Sequence, residues 1–172
     1  MNANPRDLPL FFEEIASPVG RLRLIASGEA LVGIWFEHGR DASRSRPPLT
    51  RADSPILQKT RVQLEEYFAG QRRAFDLPLD PRGTDFQQRV WRQLLRIPYG
   101  ETTSYGALAR ELGDASASRA VGLANGSNPI PIVIPCHRVI GADGSLTGFG
   151  GGLPIKQALL ALESQSRQPR LL

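Results

Sequence analysis

Several features are scarce in this 172-residue chain, and each shortage excludes a class of protein. The single cysteine, Cys136, excludes an internal disulfide and a thiolate-rich zinc site. No apolar run approaches the roughly 20 residues that span a bilayer, and the N-terminus MNANPRDLPL lacks the apolar segment of a secretory signal. Neither a GxxxxGK[ST] phosphate loop nor a GxGxxG dinucleotide motif occurs. The sequence therefore predicts a cytoplasmic protein with no membrane contact, no metal and no diffusible cofactor.

The composition is that of an ordinary globular protein, with 22% charged and 41% hydrophobic residues. Its charge is unevenly distributed. Residues 1–80 contain eleven basic and eleven acidic side chains, whereas residues 81–172 contain ten basic and six acidic ones. The net charge of +4 therefore lies in the second half, which favours an anionic partner there, nucleic acid first. A net positive charge of this size is also common in proteins that bind no anionic partner.

The first half has the pattern of a small β-meander. Short apolar stretches separated by turn residues predict strands over Phe11–Ala16, Arg21–Ser27 and Ala30–Glu37. A polar stretch over His38–Arg51 predicts a loop, and Ala74–Leu79 is a candidate for one more strand.

A helix is predicted between that loop and the last strand. Ser54 suits an N-cap and Pro55 the first helical position, while Gly70 suits the C-terminal end. The turn-forming residues 80–83 then predict a linker.

Three helices are predicted after the linker, with Thr84, Thr103 and Ser116 as their N-caps. Thr84 is followed three residues later by glutamine, which is a capping-box pattern. Gly113 ends the second helix, and the third spans about 117–126. Two short helices joined by a tight turn fit a helix-turn-helix, although they also fit a small helical bundle.

The remaining part of the chain is rich in proline and glycine. Three prolines within 128–140 predict an extended, stiff backbone, and 145–149 predicts a returning hairpin strand. Pro154 suits the first turn of a final helix, and 164–172 predicts a frayed tail.

Cys136 directly precedes His137, and this pair is the main candidate for chemistry. Thiolate is the reactive form of cysteine, and an imidazole can remove the thiol proton. Adjacent side chains on an extended chain point in opposite directions, so contact requires a turn or a bridging water. The alternative is a buried, inert thiol that happens to precede a histidine.

The segment Ile134-Pro135-Cys136-His137-Arg138-Val139 resembles the active-site motif of the O6-alkylguanine-DNA alkyltransferases, or methylated-DNA–protein-cysteine methyltransferases. Further segments resemble the same family, strongly over 83–163 and loosely before it. They are Phe86–Trp91, Ile97–Thr102, Ser104-Tyr105, Arg119–Gly122, Ala124–Gly126, Asn128-Pro129 and Gly151–Leu153.

The resemblance implies an α+β fold with two domains. An N-terminal ribonuclease-H-like α/β domain would occupy residues 1–82. A helical, winged-helix-like (helix-turn-helix) domain over 83–163 would carry DNA binding and chemistry, followed by the tail 164–172. No cysteine lies in the first half, so the structural zinc of some family members is not expected.

The resemblance also implies the chemistry, which is direct reversal of O6-alkylguanine damage, with O4-methylthymine an open second substrate. Cys136 would accept the alkyl group irreversibly, so that each molecule acts once. His137 would take the thiol proton through a water, and Glu163 would hold and polarise His137.

Further roles follow from the resemblance for duplex DNA bound through its minor groove. Tyr105 would crowd the target phosphate and donate to guanine N3, and Arg119 would fill the gap left by the extruded base. The remaining pocket and support residues are Asn128, Val139, Phe149, Gly150 and Lys156. Phe149 and Gly150 replace Tyr and Ser of some members, which leaves the accepted alkyl size open. The expected form is a monomer, with cooperative assembly on DNA open.

Two rival functions are considered. A protein that only binds and flips alkylguanine would lack the cysteine, but Cys136 is present. A Cys-His hydrolase would need a second general acid or an oxyanion element, and the sequence shows neither.

Overall fold

The computed structural model describes residues 7–39 and 48–166. The chain divides between Pro81 and Arg82 into two compact units, called here the sheet unit and the helical unit. Within the described ranges, no helix is both long enough and apolar enough to cross a membrane.

The sheet unit contains the predicted meander. Strands β1 (Leu10–Ile15), β2 (Leu22–Ala26) and β3 (Leu31–Phe36) are antiparallel, and each ends within one residue of its prediction. The four-stranded sheet has the order β3-β2-β1-β4. Alternation of apolar residues along each strand therefore located these three strands well, since one face of the sheet is buried.

Two predictions in this unit were wrong. The expected loop 38–51 contains a short edge strand, β4 (Leu49–Arg51), which pairs in parallel with β1; residues 40–47 lie outside the described residues. The expected strand Ala74–Leu79 is absent apart from one bridge between Leu79 and Leu31. The reason is local, because the Gln63 side-chain amide bonds both the N–H and the carbonyl of Asp76.

Helix α1 (Pro55–Phe68) packs against β1, β2 and β3 and closes the core of the sheet unit. Its predicted start is confirmed, since the Ser54 side chain accepts from the N–H of Leu57 at 3.1 Å. Gly70 has a φ of +74° just after the helix end, a conformation that glycine adopts at little cost.

The helical unit opens with α2 (Asp85–Leu94), whose predicted capping box is present. Helix α3 (Tyr105–Glu111) starts one residue later than predicted and is capped by Ser104 instead of Thr103. Tertiary pairing explains the shift, because Thr103–Ser104 form β5, which pairs in parallel with β6 (Val139–Ile140).

Helix α4 (Ser118–Gly126) packs against α2 and α3. The predicted cap Ser116 was wrong. Asp114 instead accepts from the Ser116 N–H at 2.9 Å and starts a 3-10 turn, Ala115–Ala117, that leads into α4. Both residues are good caps in sequence, so the choice between them depended on where the preceding turn ended.

The proline-rich segment 128–140 is not extended, contrary to prediction. It folds into turns, and Cys136–Arg138 form a 3-10 helix that leads into β6. The hairpin strand expected at 145–149 is also absent, because β6 pairs with β5. The final helix α5 (Leu153–Gln165) has Pro154 in its first turn as predicted, but it extends two residues into the expected tail. Residues 167–172 of that tail lie outside the described ranges.

Candidate active site

A tight turn places Cys136 in the interior, where the residue is only 5% exposed. The Asn128 side chain holds both ends of this turn, donating to the Ile134 carbonyl at 2.8 Å and accepting from the Ile130 N–H at 3.0 Å. Between these two bonds Ile132 has a φ of +73°, which is costly for a β-branched residue. Asn128 and the packed surroundings therefore maintain a strained backbone just before the thiol.

The 3-10 helix removes the geometric obstacle raised by the sequence. Its successive side chains are about 120° apart, so Cys136 and His137 no longer point in opposite directions. His137 is fully buried, and its Nε2 lies 2.7 Å from Oε1 of Glu163 on α5. Its Nδ1 is also buried and has no hydrogen-bond partner within residues 7–39 and 48–166. The site therefore leaves one imidazole nitrogen available.

Glu163 is 1% exposed and is held on both carboxylate oxygens. Arg138 donates from Nε to Oε2 and from a terminal nitrogen to Oε1, both at 2.9 Å, and the N–H of Gly100 donates to Oε2 at 3.1 Å. Burial alone would raise the pKa of Glu163. The hydrogen bonds and charges of His137 and Arg138 outweigh it and lower that pKa to about 2. The carboxylate is therefore ionised.

His137 is correspondingly neutral. Burial lowers its pKa below the ordinary value, Glu163 opposes that shift, and the charges of Arg138 and Lys156 reinforce it. An ionised carboxylate only accepts hydrogen bonds, so the imidazole proton lies on Nε2. The unpartnered Nδ1 therefore carries a lone pair and can accept a proton.

Cys136 is a thiol at neutral pH. Burial raises its pKa to about 11, against smaller opposing effects from an Asn128 hydrogen bond and the charge of Lys156. Thiolate is the reactive form, so this cysteine needs a base at the moment of reaction. Cys136, His137 and Glu163 thus form a nucleophile, a base and a residue that orients the base.

Lys156 on α5 is fully buried and joins two backbone segments. Its Nζ donates to the carbonyls of Val139 at 2.6 Å and Thr147 at 2.8 Å. Burial lowers its pKa, and the nearby Cys136 partly opposes this. Val139 and Phe149 are buried, and Gly150 is partly exposed in the loop before α5.

Two residues near the thiol were missed from the sequence. Arg138 belongs to the active-site motif but has no predicted role, although a buried carboxylate needs a countercharge and Arg138 is the next residue after His137. Asn125 on α4 donates from Nδ2 to the Cys136 carbonyl at 3.4 Å. No sequence pattern indicated that contact, because it depends on how α4 packs.

Tyr105 and Arg119 lie on two neighbouring helices. Tyr105 begins α3 and is partly exposed; its hydroxyl accepts from Thr147 Oγ1 at 3.0 Å, and its ring lies beside Gly122 of α4. Arg119 is exposed near the start of α4, and Leu123, four residues later on the same face, is 72% exposed. Within the described ranges, no three His, Cys, Asp or Glu side chains cluster in a way that could hold a metal ion.

Two family models match the chain. The model described as 6-O-methylguanine DNA methyltransferase, ribonuclease-like domain, matches residues 10–81. Its DNA binding domain counterpart matches residues 85–165. These matches confirm the predicted α+β fold, with a ribonuclease-like sheet domain followed by a helical domain.

Curated relatives are similar over nearly their whole length. The methylated-DNA–protein-cysteine methyltransferase of Mycobacterium tuberculosis is 51% identical over 161 residues, covering 93% of this chain and 95% of that protein. The protein of the same name from Mycobacterium leprae is 61% identical over 148 residues, covering 86% and 88%.

Solved structures of proteins from the same family are also similar to this chain. The crystal structure of Mycobacterium tuberculosis OGT in complex with DNA matches with a TM-score of 0.85 at 51% identity, covering 91% of this chain and 94% of that one. The O6-methylguanine-DNA methyltransferase of Pyrococcus kodakaraensis matches with a TM-score of 0.54 at 25% identity, covering 90% and 98%.

Proposed function

Because the chain belongs to the 6-O-methylguanine DNA methyltransferase family, we propose that it repairs duplex DNA by transferring the alkyl group of O6-alkylguanine to Sγ of Cys136. The observation that carries this assignment is the buried Cys136, His137 and Glu163 arrangement, with Nδ1 of His137 unpartnered in the part of the chain that the structure describes. The helical unit matches the family's DNA binding domain, and the complex of the Mycobacterium tuberculosis relative with DNA supports DNA binding by this chain.

The transfer proceeds by displacement at the alkyl carbon. The thiol proton of Cys136 passes through a water to Nδ1 of His137, and Sγ attacks the carbon bound to guanine O6. The Sγ–C bond forms as the C–O6 bond breaks, its electron pair goes to guanine, and guanine regains a proton. Glu163 stabilises the transient imidazolium through the Nε2–H bond. The product thioether is not a leaving group for water, so each molecule acts once.

An O6-alkyl group in a stacked duplex is out of reach of a thiol that is 5% exposed, so the base must leave the stack. Extrusion costs a few kcal/mol, and less for a damaged pair. In this proposal α4 lies in the minor groove, Arg119 occupies the vacated space, and Leu123 extends the same exposed face. Tyr105 crowds the target phosphate and donates to guanine N3. The protein binds as a monomer and reads damage independently of sequence.

The extruded base occupies a pocket lined by Val139, Phe149 and Gly150. Lys156 supports this pocket, because its two backbone bonds tie Val139 to Thr147, two residues before Phe149. Asn128 supports it by holding the turn before Cys136.

The test is intact-protein mass after incubation with a duplex that carries one O6-methylguanine. We expect a gain of one CH₂ on the peptide containing Cys136, with a plateau at one equivalent, and no gain in Cys136→Ala. Binding without mass change would support a lesion-binding protein instead. Repeated turnover of an ester or amide would support a hydrolase.

A further inference from the structure

We propose that Arg138 is a positioning residue of the alkyl-transfer reaction, which holds the Glu163 carboxylate in place and keeps His137 uncharged and able to accept the thiol proton. This inference rests on the proposed function, since it concerns the same transfer. It adds a residue that acts through Glu163 and His137 and does not touch the substrate.

The geometry around Arg138 is that of a fixed group. Two of its nitrogens grip the Glu163 carboxylate at 2.9 Å each, and a third donates to the carbonyl of Ile97 at 2.7 Å. Its guanidinium also lies 5.7 Å from the ring centroid of Tyr99. The side chain is 8% exposed, and a planar guanidinium held by a carboxylate fork has little freedom to rotate. Arg138 therefore supplies two of the hydrogen bonds that fix the orientation of Glu163, beside those of His137 and Gly100.

Charge counting shows what the guanidinium does for His137. Glu163 is negative and Arg138 positive, so the two balance when the imidazole is neutral. Protonating His137 would place an uncompensated positive charge in the interior, close to a second cation, Lys156. Without Arg138, Glu163 loses the cation bound to both of its oxygens and only Lys156 still opposes a proton on His137, so protonation becomes less unfavourable.

All the charged and titratable groups that act on His137 fit this account. Glu163 and Lys156 come from α5, whereas Arg138 and Cys136 share its 3-10 helix. Among these described groups Glu163 alone favours protonation, and it is the group that Arg138 binds on both oxygens. A protonated imidazole cannot accept a proton from Cys136, so loss of Arg138 narrows the pH range in which His137 can act as the base and leaves the ring in place.

The chain suits a direct test because it has only two histidines, His137 and His38. His38 is exposed in the sheet unit, so an imidazole ¹⁵N spectrum contains only one buried ring, that of His137. We compare wild type with Arg138→Met, Arg138→Lys and the control Arg89→Met. Arg89 is exposed and donates to the carbonyl of Leu112 at 3.0 Å, so its loss removes an arginine–carbonyl bond elsewhere in the helical unit.

In wild type and Arg89→Met we expect His137 to stay neutral, with its proton on Nε2, at and above the ordinary imidazole pKa of about 6.5. In Arg138→Met we expect its protonation midpoint to rise by more than about one pH unit. The rate of Cys136 alkylation by a free O6-alkylguanine base, followed by intact mass, should decline at a correspondingly higher pH on acidification. At pH values below the wild-type midpoint it should be at least about tenfold slower than in wild type. Arg138→Lys keeps the positive charge, so the acidic side of its pH–rate profile should not move. Its alkylation rate should fall only a few-fold.

An unchanged His137 titration and an unchanged pH profile in Arg138→Met would overturn the proposal. Should that variant not fold, Arg138→Lys decides. A wild-type alkylation rate in Arg138→Lys would overturn the proposal. So would a pH–rate profile of that variant whose acidic side is shifted as in Arg138→Met. The titration needs no substrate, whereas failure of wild type to gain mass would count against the proposed function alone.

Discussion

The two units use the same pair of chemical groups, carboxylate and guanidinium, in different surroundings. In the sheet unit Glu14 pairs with Arg23 and has Arg21 and Arg51 at 3.8 Å. Glu14 is 21% exposed, and the arginines range from 26% to 69%. In the helical unit Glu163 and Arg138 are 1% and 8% exposed. Water and salt screen the first set, and neither reaches the second.

This difference decides what each pair can do. An exposed ion pair contributes about 0–1 kcal/mol to the unfolding free energy. Solvent screens it, so it has little effect on the charge state of neighbouring groups. A buried pair contributes little net stability either, but removing one partner leaves the other uncompensated at a cost of about 3–5 kcal/mol. In the helical unit the pair therefore acts, together with burial, on the charge state of the adjacent histidine, which an exposed pair cannot do.

The largest expected effect is that of Glu163→Gln. The change leaves Arg138 buried without its countercharge and turns one of the two acceptor oxygens into an NH₂ donor, so the amide cannot accept from both His137 and all of the Arg138 and Gly100 donors. We expect a loss of about 3–5 kcal/mol in the unfolding free energy and a fall of about 10²–10⁴-fold in the alkylation rate. Denaturant unfolding and intact mass measure the two quantities. A stable, fully active variant would show that this pair behaves like a surface pair.

Arg119→Ala comes next and compares exposed arginines in the two units. We expect the reaction with duplex DNA to slow by about 10–100-fold, because a side chain in the vacated stack offsets part of an extrusion cost of a few kcal/mol. The reaction with free O6-alkylguanine needs no extrusion and should not change.

The matched control is Arg51→Ala, since Arg51 is also well exposed but lies in the sheet unit. Its rate with duplex DNA should equal that of wild type. Equal losses in both variants would mean that general positive charge, and not the position of Arg119 on α4, drives the duplex reaction.

Acidification should weaken the helical unit in two stages. A pKa of His137 below its ordinary value means that the unfolded chain binds a proton the folded chain does not, so stability falls as pH drops below about 6.5. Glu163 adds a further loss between about pH 4.5 and its folded pKa of about 2. Unfolding of His137→Gln across pH is the check: the first stage should disappear, and its persistence would point to another group.

The smallest expected effect is that of Glu14→Gln, the counterpart of Glu163→Gln in the sheet unit. Hydrogen bonding and the charges of Arg23, Arg21 and Arg51 lower the pKa of Glu14, but water screens all three pairs. We expect a change of less than about 1 kcal/mol, smaller still at high salt, and no change in alkylation rate. A loss as large as that of Glu163→Gln would remove the distinction between the two units.

Helix starts that depend on adjacent residues were predicted well. Ser54 with Pro55, and Thr84 with the glutamine three residues later, act over one turn, so their own neighbours determine them. The prediction of Ser116 as an N-cap was wrong because the side chain of Asp114, two residues earlier, accepts a hydrogen bond from the Ser116 N–H. Competition of this kind depends on the preceding turn, which is set by packing between α3 and α4.

The chemistry of the site was predicted more completely than its geometry. The residues Cys136, His137 and Glu163 could be named from the sequence, and the structure brings His137 and Glu163 together. The extended backbone expected around Cys136 was wrong, because proline restricts φ but does not decide which carbonyls its neighbours bond. Asn128 made that choice, by bonding Ile130 and Ile134.

The sequence by itself determined which reactive groups exist, one thiol and a neighbouring imidazole, and where the local helix caps form, since these depend on residue type and on neighbours within a turn. Only the tertiary structure decided their charge states. His137 and Glu163 are 26 residues apart, and Arg138 bonds a carbonyl 41 residues away. Protonation depends on burial and on the partners that burial brings together, and folding alone supplies both.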